Sequence, residues 1–284
     1  GNLDGVFTVR TLADIDRMSP LFERNARVLV VGGGYIGLEA AAVTAKLGLR
    51  VTLVEMAERI LGRVAAPETA DFFRDLHKRH GVDLREGVGL ERLTGQDGRV
   101  TGAVLTDGRV VEVDFVIVGT GIRPDTRLAE AAGLECSNGI VVDALGRASV
   151  GGVWAAGDCA VFPWRGDHLR LESVQNAIDQ AEAVAANMLG AEAPYDPHPW
   201  FWSDQYDVKL QIAGLNSGYD RVVVRRGDGT LSHWYYGGGR LLAVDAMNAP
   251  RDYMVGKRLI EAGKSPAPDV VSDPETDLKA LLKS

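Results

Sequence analysis

Val28-Leu29-Val30-Val31-Gly32-Gly33-Gly34-Tyr35-Ile36-Gly37-Leu38-Glu39, followed by Arg50-Val51-Thr52-Leu53-Val54-Glu55, decides the fold of this chain. An apolar run reads as a strand, enters a G-x-G-x-x-G turn and leaves as a helix whose apolar stripe is Ile36, Ala40, Val43 and Leu47, stopped by Gly48. Gly32 permits a sharp turn after the strand, Gly34 lets backbone approach a pyrophosphate, and Gly37 lets the helix pack closely on the strand. The helix N-terminus then faces the phosphates. Strand, turn, helix and second strand in this order give a dinucleotide-binding βαβ unit. Glu55 closes the second strand, where a carboxylate accepts hydrogen bonds from ribose hydroxyls. A 2′-phosphate beside that carboxylate is repelled, so NAD(H) is expected over NADP(H) unless Arg59 or Arg63 compensates.

Before this unit, residues 5–10 alternate as a short strand, and Thr11 or Asp14 opens a helix over 15–22. After it, 67–80 reads as a helix carrying Phe72, Phe73 and Leu76, and 82–84 as a strand. Short strands then follow at 88–93, 100–105 and 110–113, separated by the hairpin signals Asp97-Gly98 and Asp107-Gly108. They form a meander inserted before a last parallel strand, 114–118, which ends in Gly119-Thr120-Gly121. Ligands bind at the carboxyl ends of such strands, which makes Gly119 and Gly121 candidates for close approach to the cofactor. Strand pieces are expected at 140–142 and 153–155, then a long helix over 172–189 with Val174, Ile178, Ala181, Ala185 and Met188 as its apolar stripe. Past the proline-rich link at 194–199, four strands (208–212, 221–225, 232–236, 240–244) and a helix (253–261) make a small α+β unit.

The chain has 284 residues, enough for two or three units with substantial cores, and a net charge of −8, which opposes a general nucleic-acid role. An acidic partner would need a local basic patch, which Arg221, Arg225 and Arg226 could supply, although such clusters are more often solvated faces. No apolar run reaches membrane-spanning length and no leader pattern opens the chain, so a soluble cytoplasmic protein is expected. The start at Gly1-Asn2 suggests a missing N-terminal segment. Two distant cysteines, Cys136 and Cys159, argue against a disulfide framework, a zinc site or an iron–sulfur cluster in this chain. His77 and His80 lie three apart but among Arg74, Lys78 and Arg79, so they read as a solvated helix end and no metal site is expected.

Three segments taken together carry a more specific resemblance: Gly32 to Glu39, Val153-Trp-Ala-Ala-Gly-Asp-Cys-Ala160, and Glu172 to Ala181 with Pro199-Trp-Phe-Trp-Ser-Asp-Gln-Tyr206. This set resembles the FAD-dependent NADH:ferredoxin reductases of the putidaredoxin reductase and aromatic-ring dioxygenase reductase type. The resemblance implies an α/β fold with a Rossmann-like NAD domain (12–124) inserted in an FAD domain (1–11 and 125–193), and a C-terminal α+β domain (194–284). It places Gly34, Tyr35, Ile36, Glu39, Glu55, Arg63 and Gly121 along NADH, with Gly32, Gly37 and Gly119 in the same turn region. It places Arg10, Gly157, Asp158 and the Val174 amide at FAD, and Glu39 and Trp202 near the nicotinamide and flavin. The residues agree in part, since an Asp after glycine suits a polyhydroxyl chain, and the helix near Glu172 offers its positive end to a reduced flavin. Members of that family begin with a separate FAD-binding G-x-G-x-x-G segment, which this sequence lacks.

The resemblance implies that NADH passes hydride to FAD and that electrons leave for a separate 2Fe–2S ferredoxin in an oxygenase or P450 chain. The cofactors perform the chemistry, so no nucleophile or proton-transferring histidine is needed. Two alternatives share the nucleotide motif: a truncated, non-catalytic NAD-binding module, and a flavoprotein of NADH oxidase or nitrite reductase type.

Overall fold

The computed structural model describes residues 3–283. It opens with β1 (Val6–Thr8) and α1 (Leu12–Met18), where Thr11 and Asp14 form a capping box. The helix stops short of the expected residue 22, giving way to a 3-10 turn (Ser19–Leu21), because Pro20 has no N–H to continue the ladder. The βαβ unit follows as β2 (Arg27–Val31), α2 (Tyr35–Lys46) and β3 (Arg50–Glu55), then α3 (Pro67–Arg79) and β4 (Asp83–Glu86). The meander is present as β5 (Leu90–Gln96), β6 (Arg99–Leu105) and β7 (Val110–Glu112), and β8 (Phe115–Val118) returns to the main sheet. That sheet has the order β1-β8-β2-β3-β4 with every neighbouring pair parallel. Its central strands are covered on both faces, which is why Leu29, Val30, Leu53 and Val116 read as apolar runs rather than an alternation. β1, which lies within the stretch expected to belong to an FAD domain, pairs with β8 as the outer strand of the nucleotide sheet.

Next come α4 (Arg127–Ala131), β9 (Ile140–Val141), β10 (Ala160–Trp164), β11 (Asp167–Leu169) and α5 (Val174–Met188). The strand expected at 153–155 does not form. Trp154 makes an isolated bridge to Arg147, because left-handed glycines at 152 (φ 82°) and 157 (φ 78°) close the segment at both ends.

α5 also corrects the sequence reading, because its apolar stripe faces outward. Val174 is 61% and Met188 60% exposed, while Asn176, Gln180 and Asn187 are buried. The reason lies in what the helix packs on, a set of loops whose backbone groups lack strand partners. Gln180 Oε1 accepts the Gly157 amide at 2.8 Å. Asn187 donates to the Leu145 and Ala193 carbonyls and accepts the Ala193 amide. Buried loop amides and carbonyls must be paired, and here polar helix residues pair them.

The C-terminal unit contains β12 (Trp200–Gln205), β13 (Val208–Gly214), β14 (Arg221–Arg226), β15 (Leu231–Gly237) and β16 (Arg240–Met247), then α6 (Pro250–Glu261) and α7 (Pro268–Ser272). The antiparallel order is β12-β13-β16-β15-β14, so β12 adds a fifth strand to the four expected. One face packs Trp234, Val244 and Ala246 with Tyr253 and Leu259 of α6. The other packs Val208, Leu210, Leu231 and Met247 into the same core as Leu38, Phe73 and Leu76 of α2 and α3. Arg225 is no free surface cation: its guanidinium donates to the carbonyls of Val271, Asp273, Pro274 and Thr276 and pins the C-terminal segment to β14.

Candidate functional site

The strand order reverses at β2, with β3 on one side and β8 on the other, so a crevice opens between the carboxyl ends of β2 and β8. Its floor is three glycines in backbone contact. A Cβ on Gly32 (φ 108°) would lie 2.4 Å from the Gly119 carbonyl oxygen, and one on Gly37 would lie 2.0 Å from the Gly32 oxygen. Neither is tolerable, so these positions hold the turn closed and α2 tight on the sheet. Gly34 differs. It caps α2 with an extended backbone (φ −80°), and a Cβ there would meet nothing within 4 Å among the described residues. The first-turn amides of α2, which have no intrahelical acceptor, face this open side as an anion-binding helix terminus.

Glu55 stands at the rim. Its Oε2 accepts the Gly33 amide at 2.6 Å and its Oε1 the Ala57 amide at 2.8 Å, which fixes the carboxylate while leaving lone pairs outward. Arg59 is spent within its own loop, donating to the Ala65 carbonyl at 2.8 Å. Arg63 is exposed, with Nη2 3.4 Å from where a Cβ of Gly121 (φ 104°) would stand, so these two residues from distant segments meet.

Along α2, Tyr35 and Glu39 share a face one turn apart, and both meet β12. The Tyr35 ring packs on Phe201 with centroids 4.8 Å apart, and Glu39 Oε1 accepts the Ser203 hydroxyl at 2.6 Å. The registers match because four helical residues rise about 6 Å and two strand residues about 6.6 Å. Burial raises the carboxyl pKa of Glu39; the Ser203 hydrogen bond pulls it back and nearby Asp204 adds to the rise. Burial also holds the Tyr35 phenol well above its usual range.

Behind Ser203, Gln205 Nε2 donates to Ser203 Oγ at 3.1 Å, and Gln205 Oε1 lies 2.8 Å from His77 Nε2. His77 Nδ1 lies 3.0 Å from the Tyr206 hydroxyl, and His80 stacks on the Tyr206 ring at 3.7 Å. His77 is therefore not part of a solvated helix end. It is fully buried, and its pKa falls to about 4, chiefly from that burial. The sequence reading does not place Ser203 or Gln205 in the site, and it takes His77 for a solvated helix end. The available signal was the alternation in 201–205, which puts Phe201, Ser203 and Gln205 on one face of a strand and Trp200 and Trp202 on the other. Trp202 accordingly lies on the opposite face of β12 from the Glu39 contact, its ring tilted 31° to that of Trp200 with centroids 5.6 Å apart, and Lys257 lies over Trp200.

A second cluster lies at α5. Asp158 follows left-handed Gly157 in a 3-10 turn (Gly157–Cys159), and Arg170 donates to its carbonyl at 2.9 Å and pairs with Glu172 at 2.6 Å. Ser173 caps α5 by accepting the Asn176 amide, leaving the earlier amides around Val174 to other acceptors. Arg170 Nε is buried without a hydrogen-bond partner among the described residues, as is Trp164 Nε1. Arg10 lies past the carboxyl end of β1, exposed, its amide on Asp14.

The pyridine nucleotide-disulphide oxidoreductase family matches residues 1–181, and the reductase C-terminal family matches residues 200–282. The chain is 47% identical to a ferredoxin–NAD(P)(+) reductase of Sphingomonas sp., over 99% of this chain and 69% of that protein. It is 45% identical to the ferredoxin reductase subunit of a 5,5'-dehydrodivanillate O-demethylase from Sphingobium sp., over 99% of this chain and 70% of that one. Among solved structures, the ferredoxin reductase for the CYP199A2 system of Rhodopseudomonas palustris superposes with a TM-score of 0.95 at 40% identity, covering 98% of this chain and 70% of that one. A putidaredoxin reductase in covalent complex with putidaredoxin also gives 0.95, at 38% identity, covering 100% of this chain and 69% of the reductase.

Proposed function

This chain belongs to the pyridine nucleotide-disulphide oxidoreductase family, with the reductase C-terminal unit behind it, and from that premise we propose that it takes electrons from NADH and delivers them, through FAD, to a separate 2Fe–2S ferredoxin. The family binds FAD and NAD(H). The observation that carries the nucleotide half is the glycine floor: Gly32 and Gly37 admit no side chain, Gly119 packs tightly against Gly37, and Gly34 beside them faces open space at a helix N-terminus. That cradle fits a pyrophosphate. Glu55, fixed by two amides, would take the ribose hydroxyls, and Arg63 beside Gly121 would flank the nucleotide. Glu39, held by Ser203, would form the wall at the nicotinamide end.

The residues around α5 fit FAD in part. Asp158 suits the ribityl chain, the α5 N-terminus around Val174 suits the electron-rich ring, and the orphaned Arg170 Nε beside Asp158 lacks an acceptor. Bound there, FAD would convert a two-electron donor into single-electron output. The domain division 12–124, 125–193 and 194–284 follows the same reading, with β1 joining the nucleotide sheet. Relatives of this chain serve oxygenase and P450 systems by their names, and we extend that role to it.

The test is NADH-dependent reduction of a 2Fe–2S ferredoxin by the purified chain supplied with FAD, followed at the iron–sulfur absorption band. Bleaching of that band that requires chain, FAD and NADH together supports the reading. NADH binding without any ferredoxin reduction favours the non-catalytic nucleotide-binding module.

A further inference from the structure

We propose that His77, Gln205 and Ser203 form a one-way hydrogen-bond chain that positions Glu39 from the rear, so that the C-terminal unit sets the nicotinamide wall of the nucleotide site. The proposal rests on the nucleotide-site reading above. Its geometric basis is four consecutive contacts between 2.6 and 3.1 Å running from α3 through β12 to α2. Ser203, Gln205 and His77 are each no more than marginally accessible, so water is not available to substitute for a missing partner.

Donor bookkeeping fixes the sense of the chain. The hydroxyl of Ser203 has one proton. Gln205 Nε2 already donates to its oxygen, so that proton points to Glu39 Oε1, which accepts as a carboxylate. With its Nε2 turned to Ser203, Gln205 presents Oε1 to His77, so neutral His77 must carry its proton on Nε2. Nδ1 is then an acceptor, and Tyr206 donates to it. Reversing any link requires a donor at Glu39, hence a protonated carboxyl. The polarised chain therefore ties three buried groups to one charge state and one rotamer of Glu39. The groups facing the two ends are Asp204 and Tyr35 at Glu39, and His80 stacked over Tyr206 near His77. Ser203, Gln205 and His77 touch no reacting atom; they act through Glu39 as positioning residues.

The chain predicts an effect confined to the nicotinamide end. Ser203→Ala, which removes one hydrogen bond to a charged group, and Gln205→Leu, which removes the donor that turns the Ser203 hydroxyl to Glu39, each weaken NADH binding about tenfold and leave ADP-ribose affinity unchanged. Ser203→Thr, which keeps the hydroxyl, restores NADH affinity. In the wild-type protein, 15N NMR of labelled histidine places the His77 proton on Nε2. Equal losses for NADH and ADP-ribose, or no loss for NADH, would overturn the proposal, as would an Nδ1-protonated His77. If the wild-type chain binds neither ligand, the nucleotide-site reading fails, and the His77 tautomer alone then decides the polarity of the chain.

Discussion

Acid should loosen the seam between the nucleotide unit and the C-terminal sheet, and the size of the effect follows from three buried groups. His77 on α3 and His233 on β15 both lie in that seam, fully or almost fully buried, and burial lowers each pKa to about 4 from 6.5. His233 Nδ1 is 2.7 Å from Thr69 Oγ1, which donates in turn to Asp245 Oδ2 at 2.8 Å. Because their folded pKa values are depressed, the stability these histidines contribute is complete above about pH 6.5 and is lost as pH falls towards 4. At pH 4.5 that loss is about 2.5 kcal/mol for each. Asp245 works the other way. Burial raises its pKa to about 6 from 3.8, so its contribution is present in acid and lost as pH rises through 6, returning about 2 kcal/mol at pH 4.5. The three together predict a net loss of about 3 kcal/mol between pH 7.5 and 4.5. Urea unfolding at the two pH values, followed by tryptophan fluorescence, measures it. The decisive comparison is His77→Gln, an amide that still reaches Gln205 but has no proton to gain, whose acid loss should shrink by about 2.5 kcal/mol. An acid loss in His77→Gln equal to that of the wild type would refute the assignment of the effect to this histidine.

Three further outcomes are expected. Gly37→Ala and Gly34→Ala, the same change three residues apart, should separate: the first costs at least about 3 kcal/mol because its Cβ meets the Gly32 carbonyl, whereas the second costs about 1 kcal/mol or less as an N-cap change yet weakens NADH binding at least tenfold, measured by denaturation and titration. Glu55→Arg should move nucleotide preference towards NADP(H) in binding titrations of both, since it replaces the ribose acceptor by a cation; unchanged preference would remove Glu55 from the site. Asp245→Asn should stabilise the chain at pH 8 relative to wild type and much less at pH 4.5, because it abolishes the cost of a buried charge while keeping an acceptor for Tyr235 and Thr69.

The nucleotide half was legible because its constraints are local. A turn with no room for a side chain must be glycine whatever surrounds it, and the apolar strands 28–31 and 115–118 are buried on both faces, so pattern and packing agree. The meander was legible for a similar reason, its Asp-Gly turns being specified within two residues. α5 was misread because a helical apolar stripe ordinarily marks the packed face, whereas this helix packs on irregular loops that need amide and carbonyl partners more than apolar contact. His77 was misread because its charged neighbours in sequence, Lys78 and Arg79, point elsewhere, and what buries it is β12, more than a hundred residues away. β12 itself escaped as a strand because Trp200-Phe201-Trp202 has no polar alternation, its two sides facing α2 and α6 separately. Ser203 and Gln205 are ordinary polar residues in sequence. Only the register of α2 against β12 brings them to Glu39.

The most direct measurement is the visible spectrum of the purified chain after FAD is added and the excess removed, recorded anaerobically before and after NADH. The expected result is a retained flavin band that NADH bleaches and that NADPH bleaches less readily. A flavin band that stays unchanged with NADH, on a chain shown by titration to bind NADH, would contradict the proposed transfer of electrons from NADH to FAD.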